Sequence, residues 1–94
     1  MNKKLVSIAR VTLDVYNYEE NGLNIYEFDA TECSPPEPMV NTMVSLEMLK
    51  NANDRLLVKY FHEPFPLYDR VDALFTHTSQ ELETGDVLVT FQKK

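Results

Sequence analysis

Residues 32–49 read ECSPPEPMVNTMVSLEML, and how their second half folds decides what surrounds them. Met39, Val40, Met43, Val44, Leu46 and Leu49 recur at three and four, with Asn41, Thr42, Ser45, Glu47 and Lys50 between them. That spacing predicts an amphipathic helix with the apolar set, methionines included, packed on a core. Proline is tolerated in the first helical turn because the N–H groups there have no partner inside the helix. Pro36 and Pro38 therefore place the start at Pro36, with Pro35 at the cap and the end near 51–53. A second register makes Ser34 the cap and Glu37 its reciprocal partner, a capping box worth about 1 kcal/mol. In that register Pro38 deletes an intrahelical bond, which favours the first.

On the N-terminal side, Val11, Thr12, Val15 and Tyr16 suit a pleated surface, and Arg10 to Tyr16 is expected as a strand. A helical stripe through Leu5, Ile8, Ala9, Thr12 and Tyr16 competes with it. Asn21-Gly22 favours a tight antiparallel turn into a second strand, Leu23 to Asp29. On the C-terminal side, Arg55 to Phe61 is apolar enough for a central strand. Pro64 and Pro66 end it, Leu67, Val71, Leu74 and Phe75 sketch a short helix, and Thr76 to Glu83 with Asp86 to Gln92 form a closing hairpin across Thr84-Gly85. The order is a leading strand followed by β-α-β-α-β-β. The strands around the first helix are expected as parallel neighbours or nearly so, and the fold class is α+β: a two-layer α/β sandwich, both helices on one face of a mixed sheet.

Composition bounds the function. The 94 residues predict one domain, 1–94, with enough chain to bury a core. A net charge of −6 and scattered basic residues exclude a phosphate-backbone partner, so no nucleic acid is expected. A lone cysteine makes no internal disulfide, and no apolar run approaches the ~20 residues of a membrane span. A reduced, cytoplasmic protein that does not enter a membrane is expected. No glycine-rich phosphate loop or nucleophile elbow is present, so no catalytic residue and no cofactor is assigned. Five Tyr and five Phe would leave an aromatic face able to dock a protein partner or a second copy in a homodimer.

The element order, the P-E-P at the first helix start, and the closing strand Asp86 to Phe91 before a lysine resemble the TusA/SirA-like superfamily of small sulfur carriers. FDATECSPPEPM (28–39) with HEPFPLYDRV (62–71) is more similar to a sister family of unassigned function, marked by PPEPM and a later H-x-P-x-P-L-Y. The resemblance covers residues 24–92 and leaves 1–23 as an N-terminal extension or extra strand. The carriers hold C-P-x-P, with the cysteine at the helix cap, where the helix end favours a thiolate. Here that position is Pro35, so the resemblance implies a chain without the carrier nucleophile.

Cys33 lies two residues earlier, and its plain reading is a small apolar residue under the loop. In a β-α-β-α-β arrangement the loops holding Glu37 and His62 would share one rim, a place where ligands bind in α/β sheets. The candidate rim is Cys33, Pro35, Pro36, Glu37, Pro38, His62, Glu63, Pro66 and Tyr68. His62 is also expected to hydrogen bond a loop carbonyl and hold the proline turn. No local ligand spacing supports a metal. The expected function is a non-enzymatic ligand-binding or protein-interaction module. The alternatives are sulfur transfer or redox through Cys33, and metal binding through Cys33 and His62.

Overall fold

The computed structural model describes residues 2–94. Six of its elements follow the expected β-α-β-α-β-β order: β3 (Leu23–Asp29), α1 (Glu37–Leu46), β4 (Asp54–Tyr60), α2 (Phe65–Val71), β5 (Phe75–Glu81) and β6 (Val87–Lys93). Two strands precede them, β1 (Lys4–Val6) and β2 (Val15–Glu20). The strands form one six-stranded sheet of order β1-β2-β3-β4-β6-β5. Only β3 and β4 pair in parallel, which is what a helix between two adjacent strands requires. Asn21 and Gly22 both take positive φ, 54° and 80°, and close the β2–β3 hairpin.

Alternation along β4 sends Leu56, Val58 and Tyr60 to one face. They meet Val87, Val89 and Phe91 of β6, Leu46 and Leu49 from the α1 side, and Leu67, Tyr68 and Val71 of α2. Both helices therefore cover the same side of the mixed sheet, as expected of the two-layer sandwich. Arg55, Leu57 and Lys59 point the other way and remain partly exposed.

The N-terminal segment departs from expectation. A strand over 10–16 does not form: β2 begins at Val15, and Arg10 has φ 70°. The cause is a side chain far along the sequence. Asn41 Oδ1 accepts the Thr12 N–H at 2.7 Å and the Leu13 N–H at 3.3 Å, so these donors are unavailable to a ladder. Asn41 Nδ2 returns a bond to Thr12 Oγ1 at 3.0 Å. Residues 7–14 form a strap tied to α1, with Ile8, Val11 and Leu13 packed against the core.

The α1 face also differs. Asn41, Thr42 and Ser45 are buried beside Leu46, whereas Val40 is 46% and Met43 38% exposed. The apolar stripe is turned partly to solvent because Asn41 and Thr42 find partners within, while the buried Ser45 hydroxyl has none among the described residues. Asn41 holds the strap, and Thr42 Oγ1 lies 2.6 Å from Tyr60 Oη and bonds the Pro38 carbonyl at 2.9 Å. Met43 is thus not a core residue. The helix stops at Leu46 rather than near 51–53, because Glu47, Met48 and Leu49 turn back to carbonyls three residues earlier. The Asp54 carboxylate then takes the Lys50 and Asn51 N–H groups at 2.8 and 2.9 Å.

Candidate functional site

Parallel pairing puts Asp29 beside Lys59, so β3 and β4 release their following loops from one edge of the sheet. The Ala30 N–H extends that pairing to the Lys59 carbonyl at 2.8 Å. The first loop then descends in turns: Asp29 accepts the Thr31 N–H at 2.9 Å, Ala30 the Cys33 N–H at 3.3 Å, and Ser34 the Glu37 N–H at 3.0 Å. Pro36 caps α1 through its carbonyl, which accepts the Val40 N–H at 3.0 Å, and the Pro35–Pro36 peptide is cis. The start lies one residue later than expected, with Pro36 rather than Pro35 at the cap. No side chain caps the helix, so the Ser34–Glu37 capping box is absent. In the second loop, Pro64 caps α2 and accepts the Leu67 N–H at 3.0 Å.

The two loops enclose a cavity of about 330 Å³. Its walls include Cys33, Pro35, Pro36 and Pro38 from the first loop and His62, Glu63, Pro64 and Pro66 from the second, over a floor of Met39, Tyr60 and Leu67. Seven of the nine rim residues read from the sequence line it: Cys33, Pro35, Pro36, Pro38, His62, Glu63 and Pro66. Glu37 and Tyr68 do not. Glu37 turns to accept the Thr12 hydroxyl. Tyr68 is buried behind the wall, donates to Glu63 Oε2 at 3.0 Å, and stacks on His77 with ring centroids 3.6 Å apart. It therefore orients Glu63 from behind. Burial and the Glu63 carboxylate push the Tyr68 phenol above its ordinary range, so it stays a donor. His77, to which the sequence attached nothing, completes this support.

His62 is exposed and its ring lies 4.4 Å from Phe61, tilted by 58°. Among the described residues no loop carbonyl bonds it, contrary to expectation. Cys33 is partly buried. Its thiol is pushed up by burial, then by the charge of Glu37 and a hydrogen bond to it, and further by Asp29 and Glu32. A thiolate is disfavoured here, the reverse of a nucleophile's surroundings. Among the described residues no three His, Cys, Asp or Glu side chains converge as metal ligands.

The chemistry of this cavity follows from its prolines. Anion sites at helix starts depend on free backbone N–H groups. Here Pro36 and Pro38 have none, and the Glu37 N–H is already given to Ser34. The walls offer carbonyls, rings, a neutral thiol and nearby carboxylates, and the floor is apolar. The arrangement can hold an uncharged or cationic apolar group and would repel an anion. Comparison with family models, curated proteins and solved structures gives no match for the chain.

Proposed function

We propose that the protein is a non-enzymatic binding module that takes an uncharged or cationic, largely apolar group between its two proline loops. The occupant is a small ligand or a side chain of a partner protein. The observation that carries this reading is the cavity of about 330 Å³, built jointly by the two loops, with a thiol kept protonated beside an apolar floor. Its volume is within the range of small-molecule sites. We read the chain as a TusA/SirA-like domain that works in the cytoplasm without the carrier cysteine. That reading is supported by the β3-α1-β4-α2-β5-β6 order and by proline at position 35. Sulfur transfer or redox through Cys33 is the competing reading, favoured by its sharing a cavity with His62. Its acidic surroundings oppose it.

Thermal-shift and NMR titrations with n-hexylamine, n-hexanol and hexanoate test the proposal. The amine and alcohol should shift amides of residues 33–39 and 60–67, with the carboxylate weakest, and Cys33→Phe should block them. Hexanoate binding as well as the amine, or no probe perturbing these amides, would overturn it.

A further inference from the structure

At the opposite end of the helix layer, the C-terminal ends of α1 and α2 border a groove of about 510 Å³. We propose that this groove docks an acidic amphipathic helix of a partner protein, independently of the cavity between the proline loops. Its apolar surface includes Met43 and Leu74, which are 38% and 65% exposed, and the partly buried Phe75. Val40, 46% exposed, continues that surface one turn up α1. The same helix buries Asn41, Thr42 and Ser45 along with Leu46, and leaves Val40 and Met43 outside. Contiguous apolar surface of this kind marks an interaction site.

Charge identifies the partner. The chain carries nine basic residues against fifteen acidic ones, yet three of the nine, Lys50, Arg70 and Lys93, line this groove. The sole acidic lining residue is Glu47, whose carboxylate lies 3.5 Å from Arg10. Among the described residues none of the three cations forms an ion pair. Arg70, in the last turn of α2, also complements the helix end, but Lys50 and Lys93 lie outside the helices. A small amphiphile would bury most of its surface in a closed site, and here Leu74 remains mostly open. A helix presenting apolar residues on one face, flanked by carboxylates, matches both the floor and the rim.

The test uses the whole chain and a labelled helical peptide with leucines at i, i+3, i+4 and i+7 and glutamates between them, alongside its isomer with lysine for glutamate. Fluorescence anisotropy should show binding of the acidic peptide and little of the basic one. The Lys50→Glu/Arg70→Glu variant should weaken binding by about tenfold at low salt. Leu74→Asp should remove it, with melting temperature unchanged because that side chain is exposed. Equal binding of the two peptides, no binding of the acidic one, or indifference to these variants would overturn the proposal. It is equally overturned if laurate or phosphatidylserine vesicles, rather than the peptide, bind with that sensitivity, or if sedimentation shows self-association that Leu74→Asp abolishes.

Discussion

Replacing Asn41 by alanine should detach the N-terminal strap while leaving the sheet and both helices in place. The side chain is buried and makes four bonds: from the Thr12 and Leu13 N–H groups at 2.7 and 3.3 Å, and to Thr12 Oγ1 and the Glu37 carbonyl at 3.0 and 2.8 Å. The bond to Glu37 stays within the helix and the 3.3 Å contact is long, so two bonds tie the strap firmly. At roughly 1 kcal/mol net for each, plus part of the cost of leaving backbone donors poorly hydrated, the loss is about 2–3 kcal/mol. For a domain of this size that lowers the melting temperature by about 10–20 °C. Differential scanning calorimetry gives the total, and amide exchange locates it: the Thr12 and Leu13 amides should lose protection while those of β4 and β6 keep theirs relative to the lowered global stability. A double-mutant cycle with Thr12→Val should return a coupling of about 1 kcal/mol for the side-chain pair. A melting temperature within about 2 °C of the parent, or unchanged exchange at Thr12 and Leu13, would refute the idea that Asn41 holds the strap.

Three further outcomes are expected. Asp54 is held below the usual carboxylate range, because hydrogen bonds from Asn24, Lys50 and Asn51 outweigh the burial that opposes its charge. Its contribution is therefore present above the unfolded-state value and lost as pH falls through the folded one; Asp54→Asn should flatten the acid limb of stability in urea titrations, and an unchanged limb would contradict this. Iodoacetamide should alkylate Cys33 with a midpoint above that of a free thiol, and Glu37→Gln should lower that midpoint, since the carboxylate charge helps hold the proton. Rapid alkylation at neutral pH would contradict the assignment of a protonated thiol. Leu67 is fully buried beneath the cavity, so Leu67→Ala should cost about 2–5 kcal/mol in denaturant unfolding and also enlarge the floor; a loss well below that range would mean the floor collapses on the space.

The central architecture could be read from local pattern because its signals are local. Asn21-Gly22 specifies a turn by its own backbone preference, and the apolar run of 55–61 specifies a strand that the sheet then flanks on both sides. The proline loops could be placed at one rim because a strand, helix, strand passage dictates which strand ends are neighbours. What escaped detection depended on contacts distant in sequence. The 10–16 segment has strand propensity, yet Asn41, 29 residues beyond Thr12, takes its donors. The inward face of α1 is only partly legible for the same reason: the apolar spacing gives Leu46 and Leu49 but cannot reveal that Asn41 and Thr42 find hydrogen-bonding partners in a strap and in Tyr60. His77 carried no signal at all, since its stacking on Tyr68 exists only once α2 lies over β5.

All five prolines of the chain stand at positions 35, 36, 38, 64 and 66, the two walls of a single hollow. Each ring fixes a backbone torsion before any guest arrives, so little chain freedom remains to be lost on association. Occupancy should accordingly leave the amide relaxation of both loops almost unchanged, and affinity should be governed by how well the guest's shape and polarity suit a container already set.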